Sequence, residues 1–217
     1  ELTKLYLGEK ALNQVSLAIY PEELTVITGP SGSGKTTLLN MISSIDTPDQ
    51  GNVMVNGNEI TTLSGKKRQE FRAHNGQIFQ RSGLLNGLTA EQNIRTVHDL
   101  VGNEIEDEWL DYLLTELAVS SLLKKQTAQL SGGQAQRIGI IRALAHHPEL
   151  VFADEPTASL DSDSKRDVHD LFRKIVKNGS SIVMVSHDEV SKGYADGVFE
   201  MRDGVMDKFT SMTSEDV

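Results

Sequence analysis

The chain has 217 residues, of which 38% are hydrophobic, and it carries a formal net charge of -10 at pH 7. This length suits one domain, or one domain with an inserted lobe, with enough apolar residues for a core. The acidic balance argues against a nucleic-acid surface, because that binding depends on basic groups that neutralise phosphates. Cysteine is absent, which excludes disulfides, thiolate zinc sites and a cysteine nucleophile.

No stretch approaches the roughly 18 to 20 uninterrupted apolar residues of a membrane span, and the first ten residues lack the order of a signal peptide. We therefore expect no direct insertion into a membrane. The chain is expected to stay in the cytoplasm, where it is made.

Short β-branched runs alternate with longer amphipathic stretches, which is typical of an α/β domain with helices on a mostly parallel sheet. Three nearly continuous apolar runs predict the strands at the sheet centre, because buried parallel strands are apolar on both faces. They cover residues 24–28, 150–153 and 181–185. Further strands are predicted at residues 15–19, 53–55, 77–79 and 198–201.

The strand signal disappears between residues 81 and 147, where residues 104–118 carry apolar side chains at helical spacing. We interpret 81–147 as a helical subdomain inserted into an α/β core formed by 1–80 and 148–217. The small, polar and acidic tail after Phe209 is predicted to be frayed.

A glycine-rich loop lies between the strand at 24–28 and a helical run at 37–42. It fits the pattern G-x-x-x-x-G-K-[ST] with Gly29, Pro30, Ser31, Gly32, Ser33, Gly34, Lys35 and Thr36. Such a loop points backbone N–H groups at phosphates, next to the partial positive charge of a helix N-terminus. Lys35 is expected to meet the β- and γ-phosphates, and the Thr36 hydroxyl to bind Mg²⁺, with Thr37 also near the nucleotide. The alternative is a strand-to-helix turn that binds nothing.

The strand at 150–153 ends in two carboxylates, Asp154 and Glu155. Asp154 is therefore expected at the carboxyl edge of the sheet, where open α/β folds bind ligands. We expect Asp154 to hold Mg²⁺ through water and Glu155 to polarise the attacking water, because neighbours on an extended chain point in different directions. Alone, such a pair is usually an ordinary strand end; the phosphate loop favours the functional interpretation.

A second glycine motif, Leu130-Ser131-Gly132-Gly133-Gln134, opens a helical segment. In structural terms it is a capping box, with Ser131 as N-cap and Gln134 three residues later. The order of phosphate loop, LSGGQ and acidic strand end resembles the ABC ATPase family, whose signature sequence is LSGGQ. The resemblance covers essentially the whole chain. It implies a P-loop NTPase with a RecA-like core, a mostly parallel central sheet, an antiparallel β edge and an inserted helical subdomain, and it implies ATP and Mg²⁺ as cofactors.

The resemblance also assigns roles to single residues. Tyr6 matches the aromatic that stacks on adenine, and Gln80 matches the glutamine that touches the metal and the attacking water. Asp161, in Ser159-Leu160-Asp161, matches the loop at the dimer seam, and His187 matches the switch histidine that contacts the γ-phosphate. The implied catalytic residues are Lys35, Gln80, Glu155 and His187, and the implied metal ligands are Thr36, Gln80 and Asp154.

In that family two such domains enclose each ATP between the phosphate loop of one copy and the LSGGQ of the other. Ser131, Gly132, Gly133 and Gln134 are therefore expected to bind the nucleotide of a second copy. A β-carbon at Gly133 would hold the backbone away from the phosphate. The implied function is the ATP-binding and ATP-hydrolysing subunit of an ABC transporter, which drives a separate permease from the inner face of the membrane.

Segments 45–48, 153–161 and 201–204 resemble the branch that serves lipoprotein release and macrolide or peptide efflux. That branch implies an exporter with an integral membrane permease of the MacB- or FtsX-like type. Leu85-Asn86-Gly87 and Gln92-Asn93 depart from the usual Leu-Pro and Glu-Asn, so the permease-facing groove is expected to be atypical.

Three alternatives stay open. A DNA-maintenance ATPase would need a long coiled coil before LSGGQ, where no sustained heptads occur, and a ribosome-associated ABC protein normally has two cassettes. A small-molecule kinase would leave LSGGQ and His187 without a role. The other histidines, at 74, 98, 146, 147 and 169, are interpreted as surface or packing residues, and Trp109 as core of the helical lobe.

Overall fold

The computed structural model describes residues 1–102 and 104–211; for residues 98–101 it describes the backbone only. The tail predicted to be frayed lies outside the described residues from 212 onward, whereas Thr210 and Ser211 belong to the last strand.

Six strands form the central sheet, in the spatial order β10-β9-β3-β8-β7-β6. They are β3 (Leu24–Thr28), β6 (Gly76–Ile78), β7 (Leu150–Asp154), β8 (Ser181–Val185), β9 (Gly197–Arg202) and β10 (Val205–Ser211). All neighbours are parallel except the antiparallel pair β9 and β10. The three apolar runs, β3, β8 and β7, lie side by side inside the sheet, which confirms the predicted centre and the mostly parallel α/β fold.

Two antiparallel hairpins flank this sheet: β1 (Leu2–Tyr6) with β2 (Glu9–Val15), and β4 (Met54–Val55) with β5 (Asn58–Glu59). The prediction of a strand at 15–19 is wrong, because β2 ends at Val15 and residues 16–20 have no regular structure. Those apolar residues instead pack against the core as an irregular linker, with Leu17 and Ile19 partly buried. The antiparallel edge itself is confirmed.

Seven α-helices complete the described chain. They are α1 (Lys35–Ile42), α2 (Gly65–His74), α3 (Ala90–Val101), α4 (Asp107–Glu116), α5 (Gly132–Leu144), α6 (Ser162–Lys177) and α7 (Glu189–Lys192). Within the described part of 81–147 there are helices and no strands, as predicted. Trp109 packs against the core there and donates its Nε1–H to the Leu144 carbonyl at 2.9 Å.

The sheet separates two apolar cores, and alternation along each strand decides which side chain enters which core. In β7, Val151 and Ala153 join α6 and the helical lobe on one face, whereas Phe152 joins α1 and the β1–β2 hairpin on the other. The helices are therefore fixed to opposite faces, and the loops at the carboxyl ends of β3, β7 and β8 meet at one edge.

Candidate nucleotide site

The loop between β3 and α1 needs glycine at two positions. Gly29 has φ 144°, and a β-carbon there would lie 2.1 Å from the Met201 carbonyl oxygen. Gly34 has φ 98°, and its β-carbon would lie 2.4 Å from the Ala11 carbonyl oxygen. Any residue with a β-carbon at either position would clash with the backbone carbonyl that lies against it.

The Lys35 ammonium lies against its own loop, because Nζ donates to the carbonyl oxygens of Gly29 and Pro30 at 2.9 Å each. Only 8% of Lys35 is exposed. These partners keep the charge at the loop while the side chain is largely buried, where an unpaired ammonium would be unfavourable.

Thr36 and Asp154 meet next to this lysine. The Thr36 hydroxyl donates to Asp154 Oδ1 at 3.1 Å, which joins the start of α1 to the end of β7. Burial raises the pKa of the Asp154 carboxyl above its ordinary value, and the hydrogen bond from Thr36 and the charge of Lys35 oppose that rise. A hydroxyl and a carboxylate oxygen thus lie together at the carboxyl edge of the sheet.

The backbone of Glu155, directly after Asp154, adopts a left-handed conformation with φ 46°. Because β7 ends at Asp154, Glu155 lies in the turn after the strand and not on the extended chain. The Glu155 N–H donates to the Val185 carbonyl at 3.0 Å, which fixes the turn against β8. Such a backbone costs on the order of 1 to 3 kcal/mol for a non-glycine residue and tends to occur at functional positions.

The Glu155 carboxylate contacts His187, with Oε1 2.8 Å from Nδ1 of the imidazole. The Glu155 side chain is 13% exposed and that of His187 is 68% exposed. The carboxylate therefore lies inside the site, and the ring extends toward solvent at its mouth.

Lys35, Thr36, Glu155 and His187 line one cleft of about 810 Å³, whereas Asp154 is not part of its lining. The predicted residues that line it are Gly29, Pro30, Ser31, Gly32, Gly34, Lys35, Thr36, Thr37, Gln80, Glu155 and His187. Ser33 is buried beneath the loop instead. Further residues of the lining were not predicted from the sequence as site residues: Ala11, Thr28, Glu189, Lys192, Glu200, Met201, Arg202 and Asp207. They come from separate segments that only the folded chain brings together.

The loop that carries Gln80 is held by α5. Gln136 Nε2 donates to the Phe79 carbonyl at 3.0 Å, and Arg142 donates to the carbonyls of Ser82 at 3.0 Å and Gly83 at 2.8 Å. Gly139 allows the close approach, because a β-carbon there would lie 2.9 Å from the Ser82 oxygen. The position of Gln80 therefore depends on the helix that begins at the LSGGQ motif.

Asn93 of α3 holds the far end of the same loop. Its Oδ1 accepts from the Leu85 N–H at 2.6 Å, and its Nδ2 donates to the carbonyls of Leu85 at 3.2 Å and Thr89 at 3.0 Å. Asn93 is fully buried, whereas Leu85 is 51% exposed. The loop thus presents an apolar side chain to solvent at the surface of the helical lobe.

Tyr6 is not among the residues that line the cleft. Its hydroxyl donates to Asp46 Oδ2 at 2.8 Å, and Lys4 Nζ lies 5.3 Å from the ring centroid. Desolvation and the hydrogen bond to Asp46 raise the pKa of Tyr6 to about 12. Tyr6 as a whole is 46% exposed at the end of β1.

The LSGGQ residues are also not part of the lining of the cleft. At the start of α5, Ser131 and Gln134 form a capping box. Ser131 Oγ accepts from the Gln134 N–H at 3.2 Å, and Gln134 Oε1 accepts from the Ser131 N–H at 3.1 Å. Asp161 is likewise an N-cap, accepting from the Ser164 N–H at 3.0 Å. The structural interpretation of the LSGGQ motif is therefore confirmed, and any nucleotide contact of these residues must involve another molecule.

Comparison with known proteins fits this fold and site. A sequence model of the family described as ABC transporter matches residues 12–158. The chain is 40% identical over 210 residues to the ABC transporter ATP-binding protein YxdL of Bacillus subtilis strain 168, covering 94% of this chain and 82% of YxdL. It is 37% identical over 196 residues to the macrolide export ATP-binding/permease protein MacB of Haemophilus ducreyi, covering 89% of this chain and 28% of MacB.

Among solved structures, the dimeric structure of MJ0796, a bacterial ABC transporter cassette, superposes with a TM-score of 0.92 at 30% identity and covers 98% of this chain and 97% of that one. The fold and the site define a P-loop NTPase, and the chain belongs to the ABC transporter family. It is an ATP-binding component of an ABC transporter and an ATP hydrolase, and the non-transport alternatives are not supported. Cassettes of this family dimerise and work with membrane permeases.

Within the part of the chain that the structure describes, none of the helices is both long and apolar enough to cross a membrane.

Proposed function

We propose that the cleft between α1 and the ends of β7 and β8 binds ATP and hydrolyses it with the residues predicted from the sequence. Lys35 would bind the β- and γ-phosphates, with the backbone N–H groups of residues 29–37 around them. Glu155 would orient the attacking water, and Gln80 and His187 would contact the reacting phosphate. The observation that carries this proposal is the convergence of Lys35, Gln80, Glu155 and His187 on one cleft.

Thr36 and Asp154 fit a Mg²⁺ ion bound with the nucleotide. The threonine hydroxyl and the carboxylate oxygen lie 3.1 Å apart, and both are the oxygen ligands that Mg²⁺ prefers. Mg²⁺ is usually held by one or two protein groups together with substrate phosphates, so this small set is sufficient, with Gln80 nearby. When bound, the ion neutralises charge on the phosphates.

Tyr6 would stack on the adenine. The support is its exposed ring at the end of β1, and the Asp46 hydrogen bond that fixes the ring plane. An aromatic face held in this way loses little conformational freedom when a base stacks on it.

A second copy of the chain would complete each site through Ser131, Gly132, Gly133 and Gln134, with Asp161 at the seam. Nothing among the described residues requires the two glycines: a β-carbon at Gly132 meets none of their atoms within 4 Å, and one at Gly133 meets only ordinary contacts at 3.4 and 3.5 Å. Glycine is less favourable than alanine in a helix by about 1 kcal/mol. We infer that the glycines leave room for a phosphate of the partner's nucleotide, next to the positive end of the α5 dipole.

The transport partner would be an integral membrane permease of the MacB- or FtsX-like type, and the chain would act at the cytoplasmic face of the membrane. Export is supported by the names of similar proteins, including MacB and the bacitracin export ATP-binding protein BceA of Halalkalibacterium halodurans at 38% identity. The methionine import protein MetN of Corynebacterium diphtheriae, also at 38%, is a counterexample. The exposed Phe79 and Leu85, on the loop that carries Gln80, would face the permease.

In this proposal 1–80 and 148–217 form the nucleotide-binding core and 81–147 the lobe that carries LSGGQ. A hydrolysis-impaired Glu155→Gln variant should become a dimer with ATP and stay monomeric with ADP in light-scattering chromatography. Adding Lys35→Ala should abolish the dimer. A Glu155→Gln protein that stays monomeric at saturating ATP would contradict the shared site. Affinity purification from membranes should recover a four-helix permease with a large extracytoplasmic domain if the export assignment is right.

A further inference from the structure

His169 is a buried histidine that the proposed hydrolysis does not use. It lies in the middle of α6, among the apolar residues Val168, Leu171 and Phe172, and it is 0% exposed. An apolar side chain would fill that position without the loss of hydration that an imidazole suffers on burial. Its two ring nitrogens are both hydrogen-bonded, and the second bond leads to the segment that carries His187.

The hydrogen bonds form a continuous chain through the interior. His169 Nδ1 lies 2.8 Å from the Lys165 carbonyl oxygen, and Nε2 lies 2.9 Å from Ser191 Oγ. Ser191 Oγ lies 2.9 Å from Ser186 Oγ, which accepts from the Asp188 N–H at 3.1 Å. Ser191 and Ser186 are 0% and 1% exposed, so water does not compete for these bonds.

The chemistry of these groups fixes the direction of the chain. A carbonyl can only accept, so His169 Nδ1 must carry a proton, and in a neutral imidazole Nε2 then accepts from Ser191. Ser186 in turn donates to Ser191, and Ser186 accepts from the Asp188 N–H. Each of the two hydroxyls therefore donates one hydrogen bond and accepts one. Burial lowers the pKa of His169, which favours this neutral ring.

The series of hydrogen bonds ends at the two residues that flank His187. Ser186 precedes it and Asp188 follows it, and the carboxylate of Asp188 also forms a 2.7 Å ion pair with Lys165 of α6. The His187 ring is largely exposed, and its contact with Glu155 depends on where this short segment holds it. Asp161, at the proposed dimer seam, is the N-cap of helix α6, so the same helix connects the seam to His187.

We propose that His169 is a positioning residue for hydrolysis, which acts through Ser191 and Ser186 to hold His187 against Glu155. This inference rests on the proposed role of His187. It predicts that breaking the chain of hydrogen bonds lowers the turnover number without lowering nucleotide affinity, since no member of the chain lines the cleft.

The test compares Ser191→Ala and His169→Leu, which break the chain, with His169→Gln, whose amide oxygen can still accept from Ser191. The first two should lower kcat about tenfold and leave the KM for ATP within about twofold, because mispositioning of reacting groups affects the chemical step. His169→Gln should restore part of the loss. Ser43→Ala is the matched control, since Ser43 is also 0% exposed but lies outside the chain of bonds.

Two readouts separate positioning from general loss of structure. In a His187→Ala background, Ser191→Ala should cause no further fall in kcat, because coupled residues are not additive. The ring signals of His187 in NMR spectra should shift in Ser191→Ala and not in Ser43→Ala. An additive fall in the double variant, or unshifted ring signals, would overturn the inference. If His187→Ala alone leaves turnover intact while the ring signals still shift, the role of His187 in hydrolysis is wrong and the positioning stands.

Discussion

His187 and Glu155 are joined by a 2.8 Å hydrogen bond between Nδ1 and Oε1, although they follow different strands of the sheet. The bond forms because the left-handed turn at Glu155 brings its carboxylate to the loop after β8. It holds the carboxylate of Glu155, the proposed water-orienting group, next to the imidazole. Replacement of either residue should therefore change the position of the other side chain.

Glu155→Gln is expected to retain ATP binding and to slow turnover by roughly 10² or more, because an amide is a poor base for the attacking water. The isosteric change keeps the shape of the site, so ATP affinity measured by titration should remain within a few-fold. Steady-state ATPase assays check the prediction. Near wild-type turnover in Glu155→Gln would remove this residue from the mechanism.

Lys35→Ala is expected to weaken ATP binding by at least tenfold, since the buried ammonium is the charged group at the centre of the phosphate loop. Lys66→Ala is a suitable control, because the side chain of Lys66 is 89% exposed on α2. Calorimetric titration with ATP measures both variants. Equal affinities would show that the loop binds no phosphate.

Gly133→Ala should leave the fold intact and still impair hydrolysis. Its β-carbon would make only ordinary contacts with the part of the chain that the structure describes, and alanine favours a helix, so Tm should stay the same or rise slightly. ATP-dependent dimerisation should fall at least tenfold, because the proposed obstacle lies in the partner's nucleotide. Gly65→Ala, at the start of α2, is the matched control for a first-turn glycine in open space. Normal dimerisation of Gly133→Ala would contradict the shared site.

Gly139→Ala is expected to displace the loop that carries Gln80, because the new methyl group would lie 2.9 Å from the Ser82 oxygen. Overpacking of this kind typically destabilises a protein by about 1 to 3 kcal/mol. Turnover should fall several-fold, and thermal unfolding should show a lower Tm. Ala145→Gly, at the C-cap of α5, controls for a general effect on the helix. Equal turnover in the two variants would argue against a role of the loop.

Mild acid should destabilise the fold through two histidines, His169, which is buried, and His146, which is half-buried. Burial lowers the pKa of His169 and His146 below the ordinary value of 6.5. Below pH 6.5 the unfolded chain therefore binds protons that the folded chain resists, so the free energy of unfolding falls as pH decreases. At His169 the charges of Asp188 and Asp170 favour protonation and that of Lys165 opposes it. Urea unfolding between about pH 8 and about pH 5 should show a smaller loss in His169→Gln, and an unchanged pH slope would contradict the assignment.

The sequence by itself determined the features that short stretches of chain encode. The phosphate loop, the capping box at Ser131 and the three central strands depend on adjacent residues or on local periodicity, and each was predicted within a residue or two. The resemblance implied an antiparallel edge, but the residue pattern did not predict the strands β1, β2 and β10, because few of their residues are buried and their apolar pattern is weak.

Only the tertiary structure decided which distant groups meet. Thr36 and Asp154 are 118 positions apart, and Arg142 and Gly83 are 59 apart, so no local pattern relates them. The same holds for His169, which looks like an ordinary core residue until its partners beside His187 are known. Such contacts depend on how whole helices and strands pack around the sheet, and packing is a property of the assembled chain rather than of any segment.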